Sequence, residues 1–343
     1  MEGMLVVELA NVLAGPSVCQ FMAELGATVI KVENSVTKGD VTRTWKLAAE
    51  TAPGAPDLGG VTAYFSCCNL GKKSMALDIR EPEALSIVHR LAAKADVVVA
   101  SYKPGDAEKL RVDEQTLRGL NPRLIYGQIT GYGLEDRRAG YDAVIQAESG
   151  FQFMNGPPGG SAVAGVTKMP VALMDLLAAH QLKEALLVAL WNRERNGGAV
   201  GETVTISLIQ AGVSALANQA TGYLRAGAIA QRMGSDHPSV RAPPARNHSS
   251  ISSVQPAYLT AMNLAGVLTV GPLGLLWGVE QVVPYGTVFE AADGKLLTLA
   301  VGADRQFRKL CSVLGAAQLG DDERFATNPQ RVRNRDQLIV GSL

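Results

Sequence analysis

Asp175 is the residue of this chain whose type and surroundings most directly suggest chemistry. It is a lone carboxylate near the start of an apolar stretch that runs almost to Gly197. Pro170 suits the first turn of a helix and Gly197 suits its end, so the pattern predicts a helix from Val171 to Asn196. The helix dipole and the free backbone N–H groups of the first turns favour an anion there. An ionised carboxylate beside a cleft can attack a carbonyl carbon; the simpler alternative is a charge that only complements the dipole.

Composition excludes several classes of function. The 343 residues include 32 basic and 32 acidic side chains, so the net charge is zero and provides no electrostatic footprint for nucleic acid. The four cysteines and four histidines are scattered, without the spacing of a disulfide framework or a metal site. The first residues lead directly into a strand, without a basic or Arg/Ser-rich leader, which predicts a cytoplasmic protein with no membrane segment. A mitochondrial location stays open if the natural N-terminus is missing.

The elements that must position Asp175 alternate between strands and helices. Apolar runs predict strands at 5–9, 28–32, 74–78, 97–100 and 124–128. Between them, helical spacing predicts helices at Pro16–Leu25, Glu81–Lys94 and Glu114–Leu120. This alternation predicts an α/β fold with an open parallel, Rossmann-like sheet.

Three loops follow predicted strands and are rich in glycine, proline and small residues: 10–16, 101–105 and 130–133. In an open parallel sheet, ligands bind outside the carboxyl ends of the strands. Each loop alone is an ordinary turn, but the three together predict a ligand cleft at this edge.

A dinucleotide site is an alternative, because Glu33 lies where a ribose-binding acid would stand. The first loop, however, reads Ala10-Asn-Val-Leu-Ala-Gly-Pro16 and lacks G-x-G-x-x-G, with Pro16 where a glycine is needed. The sequence therefore disfavours nicotinamide or flavin binding.

Several segments, in their order and spacing, resemble the class III coenzyme A transferases, the family of formyl-CoA:oxalate, carnitine and succinate–hydroxymethylglutarate CoA-transferases. The resemblance covers nearly the whole chain apart from one insert. The segments that carry it are Val12–Pro16, Leu25–Glu33, Gly39–Arg43, Asn69–Ser74, Ala95–Val99, Pro104–Gly105, Asn121–Tyr126, Thr130–Gly133, Ala139–Asp142, His237–Ser239, Val283–Tyr285, Asp293–Gly294 and Val301–Phe307.

The resemblance implies that Asp175 stands at the position of the family's nucleophile. In such enzymes the aspartate attacks an acyl-CoA thioester, and the coenzyme A thiolate then attacks the aspartyl carbonyl. The product is an aspartyl-CoA thioester, from which an acceptor carboxylate takes the coenzyme. No metal and no permanently bound cofactor are implied.

The resemblance also implies a set of contacts to coenzyme A. They fall on Val12, Ala14, Leu77, Arg80, Ser101, Tyr102, Lys109, Thr130, Gly131 and Tyr132. Arg80 and Lys109 are plausible phosphate partners, with solvated helix charges as the alternative. Asn34 stands where relatives often have an arginine, which weakens the expected contacts to the adenine end of coenzyme A. An interlocked homodimer and short carboxylic acids, with succinyl-CoA as the first donor to test, complete what the resemblance implies.

One branch of the family racemises 2-methylacyl-CoA with paired acid–base residues, among them a histidine where this chain has Tyr141. A phenol holds its proton to about pH 10 and is a poor base at neutral pH, so transfer is favoured over racemisation.

The expected domain organisation has a large coenzyme-A-binding domain at 1–210, a helical linker at 211–240 and a smaller α+β domain at 282–343. Residues 241–281 interrupt the family pattern and are expected to be a translated intron or an extra loop. The small domain is expected to be truncated at its C-terminus, which leaves a non-catalytic product as the rival to an enzyme.

Overall fold

The computed structural model describes residues 1–55, 59–156, 166–232, 285–290, 296–301, 303–334 and 337–338. The expected insert at 241–281 lies outside the described residues. The strands are β1 (Leu5–Leu9), β2 (Thr28–Asn34), β3 (Lys73–Leu77), β4 (Val97–Ala100), β5 (Ile125–Thr130), β6 (Thr203–Ser207), β7 (Tyr285–Glu290) and β8 (Leu296–Ala300).

Thirteen α-helices occur among the described residues. They are α1 (Ala14–Glu24), α2 (Ala63–Ser66), α3 (Pro82–Ala92), α4 (Asp106–Lys109), α5 (Glu114–Leu120), α6 (Asp142–Glu148), α7 (Phe151–Met154), α8 (Leu173–Arg195), α9 (Leu208–Ala215), α10 (Asn218–Ala226), α11 (Asp304–Val313), α12 (Ala317–Asp321) and α13 (Asn328–Arg333). None of the described helices is both long enough and apolar enough to cross a membrane.

The predicted parallel α/β sheet is confirmed. Six parallel strands pair in the order β3-β2-β1-β4-β5-β6. The strand order reverses beside β1, between β1 and β4, which is the switch point where doubly wound sheets bind ligands. The edge strand β6 extends the sheet beyond the five strands predicted from the sequence.

Side chains alternate between the two faces of the sheet along each strand, and helices cover both faces. Val6 of β1 joins a core with α1 and α8, whereas its neighbour Val7 joins a second core with α3 and α5. Gly127 of β5 lets α8 approach closely, since a Cβ there would lie 3.2 Å from Leu186 and 3.3 Å from Leu182. This contact sets the height of α8, and therefore of Asp175, above the sheet.

Four buried charges tie the first loop to the sheet. The Lys31 ammonium on β2 lies 2.7 Å from Glu8 of β1 and 3.0 Å from Asp40, and it donates a hydrogen bond to the Ala10 carbonyl at 2.8 Å. Lys72 pairs with the second Glu8 oxygen at 2.7 Å. Burial alone would lower the pKa of Lys31, but Glu8 and Asp40 outweigh it and raise that pKa. Two acids and two bases therefore balance one another within the core.

Asp40 also holds a strained residue of the first loop. Val12 has φ 71°, a left-handed conformation that is costly for a β-branched residue. Its N–H donates to Asp40 at 3.1 Å, and its carbonyl accepts a hydrogen bond from the Cys68 thiol at 3.3 Å. Both backbone polar groups of Val12 are thus fixed by side chains from other parts of the chain.

Glu33 is occupied in a way that bears on the dinucleotide alternative. Its two oxygens accept hydrogen bonds from Arg43 at 2.7 Å each, and further ones from Ser74 at 2.6 Å and from the backbone N–H of Asp40 at 2.9 Å. Burial alone would raise the pKa of Glu33, but these donors outweigh it and lower the pKa to about 2. A ribose would have to displace them to reach this carboxylate.

The elements after β6 form a second, smaller group. β7 and β8 pair antiparallel. Buried residues of and around α11 form a core cluster of their own, made of Val301, Phe307, Cys311, Phe325 and Leu338. The first turn of α11 reaches the large sheet's ligand edge, where the Gln306 amide donates a hydrogen bond to the Tyr141 hydroxyl.

Replacing Asp40 with alanine is expected to lower the free energy of unfolding by about 3–5 kcal/mol, because Lys31 loses a buried partner and the Val12 N–H loses its acceptor. The matched control is Asp136→Ala, which removes an exposed carboxylate paired with exposed Arg138 and should cost about 1 kcal/mol or less. Urea unfolding measures both, and equal losses would contradict the role assigned to the buried charges.

Candidate active site

Three loops surround one cleft of about 410 Å³ at the carboxyl ends of β1, β4 and β5. They are the three loops predicted from the sequence. The described residues that line the cleft are Asn11, Val12, Leu13, Ala14, Val41, Trp45, Ser101, Tyr102, Lys103, Ile129, Thr130, Gly131, Arg138, Ala139, Gly140, Tyr141, Asp142, Asp175, Leu208, Ala303, Arg305 and Gln306.

Asp175 enters this cleft from the first turn of α8. The helix begins at Leu173, two residues later than predicted, and no side-chain hydrogen bond from Ala172 caps it. The carboxylate is half-buried, and among the described residues none donates a hydrogen bond to it. It therefore meets the cleft as a carboxylate without a hydrogen-bond donor in the described part of the chain.

Asp142, at the start of α6, supplies the cap that α8 lacks locally. One of its carboxylate oxygens accepts a hydrogen bond from the Met174 N–H at 2.8 Å, and the other accepts one from the Gln146 amide at 2.7 Å. The backbone N–H of Asp175 is also hydrogen-bonded to this carboxylate. Because Asp142 accepts hydrogen bonds from the first backbone N–H groups of α8, the Asp175 carboxylate is not needed to cap the helix.

The two carboxylates influence each other's protonation. Burial and, after it, the negative charge of Asp142 raise the pKa of Asp175 well above its ordinary value. Burial also raises the pKa of Asp142, although the hydrogen bonds from Met174, Gln146 and Asp175 oppose it. The helix N-terminus alone would lower the pKa of Asp175, but desolvation and the neighbouring charge of Asp142 outweigh it. A more basic carboxylate is a stronger nucleophile once it is ionised.

The first loop places Val12 and Ala14 on the cleft wall, with Ala14 as the first residue of α1. Leu13 directly precedes that helix, and its side chain forms no capping hydrogen bond. The left-handed conformation of Val12 turns the chain from β1 into α1, so the strained residue shapes this wall directly.

The second loop brings Ser101 and Tyr102 to the cleft. The Ser101 hydroxyl accepts a hydrogen bond from the Asn11 N–H at 3.2 Å, which joins the second loop to the first. Burial raises the pKa of Tyr102 to about 12, so its hydroxyl stays protonated.

The third loop brings Thr130 and Gly131 to the cleft. The Thr130 hydroxyl accepts a hydrogen bond from the Gly133 N–H at 3.0 Å. A Cβ on Gly131 would lie 2.5 Å from the Gly140 Cα, so this close approach of two chain segments requires glycine.

The other four predicted coenzyme A contacts are absent from the described cleft lining. Leu77 packs against the core on the α3 side. Arg80 is exposed and pairs with Asp78 at 2.7 Å, and Lys109 is exposed and lies 3.4 Å from Asp106. Tyr132 packs under the Arg138 guanidinium, which is 3.7 Å from its ring centroid.

Among the cleft residues that sequence reasoning did not assign to the site are Asp142, Trp45, Arg305 and Gln306. Asp142 belongs to a recognised motif, but the helix that it caps begins about thirty residues later, so no local pattern identifies the cap. Arg305 and Gln306 come from the second group of elements and reach the cleft only through the tertiary fold.

Groups of three or more His, Cys, Asp or Glu side chains that could hold a metal ion do not occur in the described ranges.

Comparison with known proteins identifies the relatives of this chain. A model of CoA-transferase family III matches residues 1–254 and 247–341. The succinate–glutarate CoA-transferase of Agrobacterium fabrum is 35% identical over 341 residues, which cover 98% of this chain and 72% of that protein. The human succinyl-CoA:glutarate CoA-transferase is 31% identical over 342 residues, which cover 99% of this chain and 65% of that protein.

A solved structure shows the same fold. The crystal structure of a CAIB/BAIF family protein from Brucella suis is 36% identical and superposes with a TM-score of 0.61, covering 99% of this chain and 76% of that one. This chain is therefore shorter than each of the three relatives and spans between 65% and 76% of their lengths.

Proposed function

Because this chain belongs to CoA-transferase family III, we propose that it transfers coenzyme A from an acyl-CoA to a short carboxylic acid, with Asp175 as the nucleophile. The observation that carries the proposal is the Asp175 carboxylate, which lines the cleft without a hydrogen-bond donor among the described residues. The names of its relatives, which are CoA-transferases for succinate and glutarate, support the class of reaction.

The proposed reaction keeps one carboxylate at its centre. Asp175 attacks the thioester carbonyl of the donor, the carbon–sulfur bond breaks, and a mixed anhydride and the coenzyme A thiolate result. The thiolate attacks the aspartyl carbonyl, which releases the donor acid and leaves an aspartyl-CoA thioester. The acceptor carboxylate attacks this thioester, and the thiolate released then attacks the acceptor's acyl carbon. The new acyl-CoA leaves and the Asp175 carboxylate is regenerated.

The cleft residues are suited to hold a thioester beside Asp175. We propose that Val12, Ala14, Ser101, Tyr102, Thr130 and Gly131 contact coenzyme A, since all six line the cleft. Arg80 and Lys109 remain proposed phosphate partners. Both are exposed, so a phosphate could exchange with their present carboxylate partners in water at little cost. Leu77 and Tyr132 are proposed as further contacts to coenzyme A outside the described cleft lining.

Asp175→Asn keeps the size of the side chain but removes its nucleophilic oxygen. We expect the transfer rate with succinyl-CoA and glutarate to fall about a thousandfold or more, while the Kd for coenzyme A changes less than about threefold. The control is Asp136→Asn, which alters an exposed carboxylate outside the cleft lining and should leave the rate unchanged. An Asp175→Asn enzyme that keeps most of its rate would contradict the proposal.

The raised pKa of Asp175 predicts the pH dependence of transfer. Only the ionised form is a nucleophile, so kcat/KM should fall as the pH drops through a pKa above that of an ordinary aspartate, about 3.9. Asp142→Asn removes the neighbouring charge that raises this pKa, so the acid limb should move to lower pH. The amide oxygen that this substitution introduces at position 142 can still accept the hydrogen bond from the Met174 N–H. An acid limb that stays in place or moves to higher pH would show that Asp142 does not tune Asp175.

We also propose an interlocked homodimer with a large domain at 1–210, a linker at 211–240 and a small domain at 282–343. The described part of the chain leaves an apolar face of α8 uncovered: Leu187, Val188 and Trp191 are 41%, 57% and 62% exposed. Such a cluster on one helix face is typical of a protein interface.

Sedimentation should show a dimer, and Trp191→Glu should weaken association at least about tenfold, because it places a charge in an apolar interface. Glu184→Gln, on the same helix, serves as a control for altered charge. A folded and fully active wild-type monomer would contradict the proposed dimer.

A further inference from the structure

The positive charges of the cleft differ in whether they are already paired. Three basic residues line it: Lys103, Arg138 and Arg305. Arg138 is occupied, since its guanidinium contacts Asp136 at 2.9 Å and Glu148 at 3.0 Å and covers the Tyr132 ring. In the part of the chain that the structure describes, Lys103 and Arg305 form no ion pair. Either is thus available to an anionic ligand.

Arg305 is an exposed residue that lines the same cleft as Asp175, on a helix hydrogen-bonded to the segment that caps α8. It lies in the first turn of α11, and its neighbour Gln306 donates a hydrogen bond to the Tyr141 hydroxyl. Tyr141 directly precedes Asp142, which accepts from the N–H of Met174, the residue before Asp175. The helix that carries Arg305 is therefore fixed to the segment that positions Asp175.

The cleft that Arg305 shares with Asp175 indicates which part of an acyl-CoA the guanidinium would meet. The thioester carbon must lie against Asp175, and the coenzyme A phosphates are separated from that carbon by the whole pantetheine arm. A cation that lines the same cleft as Asp175 is therefore better placed to meet the acyl group than the phosphates. The acyl group of a dicarboxylic acid carries a second, free carboxylate at its far end.

Electrostatics favours such a cation for a dicarboxylic substrate. Asp142 and Asp175 also line this cleft, and whenever either is ionised it repels the free carboxylate of the substrate unless a positive charge compensates. A guanidinium can bind a carboxylate through two parallel hydrogen bonds, which also fixes the direction of the acyl chain.

We propose that Arg305 binds the distal carboxylate of a dicarboxylic acyl group and so selects dicarboxylic over monocarboxylic substrates. The inference rests on the proposed function for its substrate, but it concerns recognition rather than transfer. It assigns to the second group of elements a part in choosing the substrate.

Binding to the unreactive Asp175→Asn protein tests this selection apart from catalysis. Titration calorimetry would compare succinyl-CoA with butyryl-CoA, which has the same chain length but no distal carboxylate. With Arg305 present, succinyl-CoA should bind more tightly than butyryl-CoA. Adding Arg305→Gln should weaken the binding of succinyl-CoA about 10- to 100-fold and the binding of butyryl-CoA less than about threefold.

Two further variants separate charge from geometry and from general surface effects. Arg305→Lys keeps the charge but loses the planar fork, so it should recover part of the lost affinity for succinyl-CoA. Lys309→Gln removes a positive charge from the same helix at a residue outside the described cleft lining and should change neither affinity. Thermal unfolding of each variant verifies that the fold is kept.

Each outcome discriminates. Equal weakening of both ligands would show that Arg305 acts on the coenzyme or on the shape of the cleft, and unchanged binding of both would show that it takes no part. Either result overturns the proposal, as does succinyl-CoA binding no tighter than butyryl-CoA when Arg305 is present. Selective binding in a wild-type protein that transfers no coenzyme A would instead refute the proposed function and leave the carboxylate site standing.

Discussion

The balanced cluster of Glu8, Lys31, Asp40 and Lys72 is the constraint on which the ligand edge depends. Charges buried this deeply are tolerated only when they are paired and hydrogen-bonded, so these residues must keep one geometry. That geometry carries into the first loop, because Asp40 accepts from the Val12 N–H and Lys31 donates to the Ala10 carbonyl. The loop can therefore hold a strained conformation before any ligand arrives, and a preorganised wall spares the ligand the entropy of ordering it.

On the opposite side of the cleft, α8 is positioned by groups that are not adjacent to it in sequence. Gly127 admits the helix to the sheet, and Asp142 caps its first turn. The same capping carboxylate places a negative charge beside Asp175 and raises its pKa. The position of the proposed nucleophile and the shift of its pKa thus both depend on Asp142. A carboxylate with a raised pKa is protonated over a wider pH range, but it is the better nucleophile when ionised. The burial that raises the pKa also lowers the local polarity, which strengthens electrostatic interactions with a bound thioester.

Sequence reasoning identified the features that local patterns encode. The runs at 5–9 and 97–100 were sufficient to define β1 and β4, and the alternation of strands and helices predicted the parallel sheet and its ligand edge. Asp175 stood out because a helix start is visible in local sequence. The cap by Asp142, the charge balance around Lys31 and the approach of Arg305 were not predicted, because each joins segments that only the tertiary fold brings together. The direction in which the pKa of Asp175 is shifted was not predicted for the same reason, since burial and the charge of Asp142 cannot be read from one helix.

Transfer of an oxygen atom tests most directly whether Asp175 is the nucleophile. When an acceptor acid labelled with oxygen-18 in its carboxylate takes coenzyme A from the aspartyl thioester, one of its oxygens must remain on the aspartate. Mass spectrometry of the peptide containing Asp175, after incubation with succinyl-CoA and labelled glutarate, should therefore show heavy oxygen at this residue, one atom after a single turnover and up to two after several. Turnover that leaves the peptide unlabelled, or that labels a different carboxylate, would contradict the account.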